Sequence, residues 1–204
     1  LTILVTEFGI SATKLLTQSE DGKLAISKIP HSFIHDVEEL EVCDLQSLGD
    51  ALERLELEPR RYVIRAQLIP GRPRTKVRRL LKPQQDSPAN FQAQARRWCM
   101  IDIDELPLPA DVTDFRASKE RLVAIALAHL PSEFAGVDCW YQFSASMGVK
   151  TDRIRLHLWL WLDRPVNEGE LKAWLQGSPV DRAVFNPVQP HYTAGPVLGR
   201  VLVC

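Results

Sequence analysis

Trp98-Cys99-Met100-Ile101-Asp102-Ile103-Asp104 is an apolar, strand-forming run that ends in two carboxylates. Because side chains alternate between the faces of a β-strand, Asp102 and Asp104 are predicted to share one face, with their Cα atoms roughly 6.5–7 Å apart. Both carboxylates can then reach one cation or two adjacent cations. Carboxylate oxygens are ligands that Mg²⁺ and Mn²⁺ take, and such a pair suits two-metal chemistry on phosphates. The alternative is a strand that runs out into an acidic loop, since Glu105 follows and Pro107 ends the pairing.

The composition is that of an ordinary folded domain. The chain has 204 residues, of which 45% are hydrophobic and 25% charged. No stretch approaches the ~20 apolar residues of a membrane span, so we expect no membrane association. The four cysteines stand far apart, without a Cys-x-x-Cys pair or a histidine at zinc spacing. We therefore expect no zinc site, no disulfide framework and a location in the reducing cytoplasm.

Positive charge is concentrated in one segment. Residues 60–97 hold eleven basic residues and one acidic residue, whereas the rest of the chain holds 14 basic and 25 acidic residues. A basic segment directly before an acidic pair is the layout expected of a protein that draws phosphates to a metal site. The alternative is a solvated basic loop, because Lys and Arg are readily exposed.

The first ninety residues predict an α/β lobe. Asp21-Gly22 predicts a hairpin turn within residues 12–29, and Asp44 is predicted to cap a helix that ends before Pro59. Residues 61–69 predict a strand whose polar face carries Arg65. Because a guanidinium group fits phosphate oxygens, we predict that Arg65 binds nucleotide phosphates.

Residues 70–88 contain too many turn-forming and charged residues for a core element, and we predict an exposed basic loop. Its side chains are expected to contact the backbone of a nucleic acid, which positions the nucleic acid without reading its sequence. The predicted nucleic-acid-binding residues are Arg72, Arg74, Lys76, Arg78 and Arg79.

The second half begins with a predicted helix that starts at Asp111 or Asp114 and runs to about His129. A strand is predicted over residues 139–143. Further on, Asn167 opens a capping box for a short helix, because a glutamate stands three residues later.

Residues 153–162 alternate almost perfectly between aliphatic and other side chains, which predicts a strand. Arg155 and His157 lie on its second face. Two alternatives stay open for His157: a packed, hydrogen-bonded sheet histidine, or a group that meets nucleotide phosphates together with Arg155. Asp181 follows an apolar residue and is either a third metal-binding carboxylate or a surface or helix-capping residue.

The order of these motifs resembles that of a known superfamily. An acidic pair on one strand, a later strand with a histidine before aromatic residues, and then an apolar residue followed by Asp are the three motifs of the archaeo-eukaryotic primases. The chain is similar to their bacterial plasmid, phage and integrative-element branch, the primase-polymerases that are often fused to a helicase. The likeness covers roughly residues 91–196. The family often has a serine two residues before the histidine, where this chain has Arg155.

The resemblance implies an α+β fold, namely an archaeo-eukaryotic primase-type catalytic module with a mixed sheet like that of an RNA-recognition motif (RRM) and an N-terminal α/β lobe. We predict one module over residues 1–204, with the N-terminal lobe at about 1–90, including the basic loop 70–88, and the acidic-site lobe at 91–204. Because the chain begins at Leu1, we expect it to be part of a longer protein, with a helicase domain as a candidate neighbour.

The activity that the resemblance implies is primer synthesis on single-stranded DNA from nucleoside triphosphates, for the replication of a mobile element. It implies two-metal nucleotidyl transfer with Mg²⁺ or Mn²⁺. The resemblance assigns Asp102, Asp104 and Asp181 to catalysis and metal binding and His157 to the nucleotide phosphates, which we expect it to hold together with Arg155 or Arg65.

Two other classes of protein are compatible with the same residues. A non-catalytic replication initiator or nucleic-acid-binding module would stack bases on Trp159 and Trp161. A metal-dependent nuclease would use the same carboxylates to activate water instead of a 3′-hydroxyl. The product distinguishes the three: the binding module leaves DNA unchanged, the nuclease shortens it and the polymerase extends it.

Overall fold

The computed structural model describes residues 1–19, 21–149 and 152–198. The chain divides into two compact units: unit 1 comprises residues 1–94 and 187–204, and unit 2 comprises residues 95–186. The helices and strands of the described residues are, in chain order, β1 (Thr2–Thr6), β2 (Leu15–Gln18), β3 (Leu24–Ile26), β4 (Ile34–Glu39), α1 (Leu45–Glu56), β5 (Arg61–Ile64), β6 (Gln67–Leu68), β7 (Val77–Arg78), β8 (Phe91–Gln92), β9 (Arg96–Ile103), α2 (Lys119–Ala128), β10 (Trp140–Phe143), β11 (Leu156–Val166), α3 (Glu168–Trp174), β12 (His191–Tyr192) and β13 (Val197–Leu198).

Unit 1 is built on a five-stranded antiparallel sheet in the order β12-β5-β1-β4-β7. Its core includes Leu4, Tyr62, Ile64 and Phe91, each at most 3% exposed. Two smaller sheets complete the unit: β13 pairs parallel with β2, which pairs with β3, and β6 pairs with β8. The mixture of helices with mainly antiparallel sheets is consistent with the predicted α+β class.

The hairpin and the first helix predicted in unit 1 are both present, whereas one predicted strand is divided. The predicted hairpin forms as β2 and β3, with Gly22 in the left-handed region at φ +80°. Helix α1 begins directly after Asp44, whose carboxylate accepts a hydrogen bond from the Ser47 amide at 2.7 Å. The predicted strand over residues 61–69 is interrupted, because the Ala66 amide donates to the Pro187 carbonyl at 2.7 Å.

Unit 2 is built on a three-stranded sheet in the order β10-β11-β9. The outer strands both run antiparallel to β11, so β9 and β10 are parallel to each other and are joined through α2. The succession β9-α2-β10-β11-α3 is that of a split β-α-β unit. All ladders of this sheet among the described residues are antiparallel, so it is not the mixed sheet that we predicted.

Several element boundaries in unit 2 differ from the predictions. Helix α2 begins at Lys119, because the Asp114 carboxylate accepts hydrogen bonds from the amides of Arg116 and Ala117 and so stabilises a turn before the helix. Strand β11 begins at Leu156 rather than residue 153 and continues to Val166, beyond the predicted end at residue 162, with a register shift after Trp161.

The division of the chain can be compared with the predicted lobes. The first boundary lies between residues 94 and 95, close to the predicted position near residue 90. The stretch from Pro187 onward, which we had grouped with the acidic lobe, belongs to unit 1. It is held there by the bond from Ala66 to Pro187 and by the pairing of β12 with β5.

Candidate active site on the three-stranded sheet

Asp102 and His157 face each other across β9 and β11. The antiparallel register pairs Asp102 with His157 directly, and the two side chains lie on the same face of the sheet. The imidazole Nε2 lies 3.7 Å from the Asp102 carboxylate Oδ1. The side chains are 15% and 24% exposed, so both reach the surface while standing on a rigid sheet.

Asp104 and Arg155 lie just beyond the paired positions of β9 and β11. The register shifts by one residue after the pair of Leu156 with Ile103, because the Ile154 amide donates to the Leu106 carbonyl, so Asp104 and Glu105 together lie opposite Arg155. The Ser144 amide donates to the Arg155 carbonyl at 2.9 Å, which extends the connection between β10 and β11 to this level. The Arg155 side chain is 13% exposed, and its Nη2 lies 3.5 Å from Asp152 Oδ1. A second acidic-basic pair of residues therefore flanks the first one.

Asp181 lies beside Asp102, although 79 residues separate them in the chain. The Asp181 amide donates a hydrogen bond to the Asp102 carbonyl at 3.2 Å. The exposed Asp181 carboxylate accepts a hydrogen bond from the Ala183 amide at 2.8 Å and caps the short 3₁₀ helix Arg182–Phe185. The structure thus brings together the three motifs, and Asp181 has a capping role in addition to any role in chemistry.

Gln142 completes a row of polar residues that the sequence analysis missed. The register of β10 and β11 pairs Gln142 with His157, so Asp102, His157 and Gln142 stand side by side on three strands. We call these three residues the polar row. The Gln142 Oε1 accepts a hydrogen bond from the indole Nε1 of Trp159 at 3.1 Å. The sequence does show a polar glutamine among the aromatic residues of a short strand. That feature indicates a site residue only once the pairing of the strands is known.

Two buried tryptophans, Trp98 and Trp159, lie next to the polar row on the same face of the sheet. Trp159 is fully buried, and its ring centre lies 5.7 Å from that of Trp98. The suggestion that Trp159 stacks on bases is therefore wrong, because its faces are covered. Trp161 is half-buried.

The donor chemistry of the acidic site fits a hard divalent cation in part. Asp102 on β9 and Asp104, directly after the end of that strand, are both half-exposed and offer carboxylate oxygens. Within residues 1–19, 21–149 and 152–198, however, no three side chains of His, Cys, Asp or Glu are arranged to hold a metal ion. The pair of carboxylates fits such an ion, and Asp181, whose carboxylate caps a helix, would have to reorient to add a third ligand.

The predicted basic ligands outside unit 2 differ in their surroundings. Arg65 is only 2% exposed. Its predicted contact with nucleotide phosphates stays a prediction, and the burial of its side chain argues against it. Arg74 forms an ion pair with Glu39, Arg78 donates to the Ser87 hydroxyl, and the Arg79 guanidinium lies over the Tyr62 ring.

Arg72 and Lys76 are exposed, as is Arg74, but the Arg74 guanidinium is engaged by Glu39. Of the five predicted nucleic-acid-binding residues, these two are therefore the best placed for an external phosphate.

Comparisons with known proteins give no relative on which to draw. No family model, curated protein or solved structure matches this chain. In the part of the chain that the structure describes, every helix is too short or too polar to cross a membrane.

Proposed function

We propose that this chain is the catalytic module of a DNA primase-polymerase that extends primers on single-stranded DNA by metal-dependent nucleotidyl transfer. One observation carries the proposal: Asp102, His157 and Asp181, which lie on three separate segments, come together at one sheet, where the Asp181 amide bonds to β9 and Asp104 is adjacent. Neighbouring carboxylates beside a half-exposed histidine are the residue types that a metal-dependent site acting on phosphates uses, and their clustering supports the proposal.

In this proposal Asp102 and Asp104 hold Mg²⁺ or Mn²⁺, and Asp181 contributes when its carboxylate turns from the helix cap. When bound, the ions would neutralise charge at the triphosphate and lower the pKa of the attacking 3′-hydroxyl. His157 on β11 and Arg155 just before that strand would donate hydrogen bonds to phosphate oxygens. Their task is positioning and charge stabilisation, which dominate catalysis of this reaction type.

The succession of elements in unit 2 supports the primase-type assignment at the level of topology. The archaeo-eukaryotic primase module resembles an RRM in its sheet, and a split β-α-β unit with the order β10-β11-β9 agrees with that description. In the RRM order a fourth strand would pair with β9, and here the Asp181 amide bonds to β9. The proposal extends to a mobile-element origin and a neighbouring helicase domain.

A nuclease would use the same carboxylates, and the length of the DNA product distinguishes it from a polymerase. A fluorescent primer annealed to a longer single-stranded template is incubated with the purified chain, Mn²⁺ or Mg²⁺ and all four deoxynucleotides, and in parallel with ribonucleotides. A template without primer and with a labelled nucleotide tests initiation.

The proposal expects products longer than the primer, which are absent when EDTA is added. Shortened DNA would identify a nuclease, and unchanged DNA under all conditions would identify a non-catalytic module. Either of these two results overturns the proposal.

A further inference from the structure

Unit 1 contains a pocket that the proposed function does not use. It has a volume of about 840 Å³ and lies at the ends of β1 and β4. Its lining includes Phe8, His35, Arg60 and Lys76, together with the carboxylates of Glu7 and Asp36. We call it the aromatic pocket because Phe8 lines it and Phe33 directly precedes the lining residue Ile34.

Two phenylalanines at this end of the sheet are unusually exposed. Phe8 is 93% and Phe33 71% exposed. The β1–β4 register pairs Thr6 with His35, so Phe8 and Phe33 both lie two residues beyond that pair, at the same end of the two strands. Single exposed apolar residues are common, but two large rings at one strand end beside a pocket offer a surface on which flat groups can stack.

A fixed guanidinium stands over one of these rings. The Arg60 Cζ lies 5.6 Å from the centre of the Phe8 ring, which is a cation-π distance. Arg60 is held in this position because its Nη2 donates to the Thr6 carbonyl at 2.6 Å. An aromatic ring and a positioned cation are thus combined at the pocket wall.

The basic segment forms the neighbouring wall. The Val37 amide donates to the Arg74 carbonyl, and β7 pairs with β4, so residues 74–78 follow β4 past the pocket. The exposed Lys76 lines the pocket, and its backbone amide donates a hydrogen bond to the Asp36 carboxylate at 3.0 Å. Burial, followed by the positive charge of Arg79, lowers the pKa of His35 to about 4, so this residue adds no charge at neutral pH.

We infer that the aromatic pocket binds single-stranded nucleic acid, with bases stacked on Phe8 and Phe33 and phosphates held by Arg60 and Lys76. Exposed aromatic rings next to basic side chains are the combination that binds single strands without sequence preference. The net charge of +8 over residues 60–94 favours a polyanion over an acidic or neutral protein surface. The inference rests on unit 1 alone, so it holds or fails independently of the acidic site.

The test is fluorescence anisotropy with a labelled single-stranded DNA of mixed sequence, with single-stranded RNA and duplex DNA as parallel probes. The variants are Phe8→Ala, Phe33→Ala and the double variant. Leu57→Ala is the matched control, because Leu57 is another apolar side chain of unit 1 that is 82% exposed. Thermal unfolding of each variant checks the fold.

We expect the double variant to bind single strands about tenfold or more weakly, because the bases lose their stacking partners. Its melting temperature and the affinity of Leu57→Ala should stay unchanged. Lys76→Asn removes one positive charge, and asparagine is chosen because it tolerates the left-handed backbone at this position, where φ is 53°. The slope of the logarithm of the affinity against the logarithm of the salt concentration should become shallower by about 0.7.

Unchanged affinity of the double variant, or tighter binding of duplex than of single strands, overturns the inference. The Asp102→Asn/Asp104→Asn variant separates the two sites: if the inference is right it binds DNA normally, whatever its activity.

Discussion

The imidazole of His157 stands 3.7 Å from the carboxylate of Asp102, on directly paired positions of two antiparallel strands. This separation is within ion-pair range but too long for a hydrogen bond, so the carboxylate does not occupy the donor capacity of the imidazole. A rigid sheet thus presents an acid and a base side by side at a half-exposed surface. Under the proposed function, this pair would meet a metal-bound and a free phosphate oxygen of the nucleotide.

His157→Asn tests the base of this pair. A hydrogen bond to a charged group contributes about 1.5–3 kcal/mol, so we expect kcat/KM for the nucleotide to fall by about 10- to 100-fold. Steady-state kinetics with varied nucleotide concentration measures the effect. His129→Asn is the control, because His129 is an exposed histidine at the end of α2. Equal kinetics for both variants would remove His157 from the nucleotide site.

Asp181 can be tested separately for its two roles. Asparagine is as good a helix N-cap as aspartate, whereas alanine is not. We expect Asp181→Asn to keep the melting temperature and to lose metal-dependent activity by at least tenfold, and Asp181→Ala to lose both activity and some stability. If Asp181→Asn retains full activity over a titration of Mn²⁺, Asp181 is a capping residue only.

Gln142 is predicted to support the site through Trp159. Gln142→Leu leaves the indole N–H of a fully buried tryptophan without its acceptor, which costs about 1–3 kcal/mol of unfolding free energy. Gln142→Glu keeps an acceptor oxygen and should be less destabilising. Urea unfolding of both variants measures the difference, and equal stability of the two would show that this hydrogen bond contributes little.

The sequence identified which residues face the same way, but not which strands pair. Period-two alternation correctly gave the polar faces of β9 and β11 and hence the orientation of Asp102 and His157. The pairing of these strands is a tertiary contact between distant segments, and it entered only through the resemblance to a family. Gln142 was missed for this reason, since its place in the polar row exists only once β10 is beside β11.

Arg65 and α2 show where local patterns fail. Alternation placed Arg65 on the polar face of a strand, but Arg65 is buried, and the ladder breaks here because the Ala66 amide bonds to Pro187, a contact that no local pattern contains. Asp111 and Asp114 both have the character of an N-cap, but the Asp114 carboxylate stabilises a turn, and α2 begins only at Lys119.

His35 predicts a pH dependence of stability in unit 1. Its pKa is lowered to about 4 from 6.5, so between these values the unfolded chain binds a proton that the folded chain does not. The stability that neutral His35 contributes is complete above about pH 6.5 and is lost as the pH falls towards 4. Between pH 7 and pH 5 the loss should be about 2 kcal/mol.

Urea unfolding of the wild-type chain and of His35→Gln at pH 7, 6 and 5 measures this loss. Glutamine does not titrate, so the difference between the two chains should shrink as the pH falls. Parallel curves over this range would contradict the assignment.

The central claim is that Asp102 and Asp104 hold the cations of a nucleotidyl-transfer site. The most direct measurement is primer extension on single-stranded DNA by the wild-type chain, Asp102→Asn, Asp104→Asn and the exposed control Asp163→Asn, each with Mn²⁺ and with EDTA. We predict metal-dependent extension by the wild type and Asp163→Asn, and its loss in both acidic-site variants with unchanged melting temperature and DNA affinity. Metal-dependent extension by the Asp102→Asn/Asp104→Asn double variant would contradict the claim.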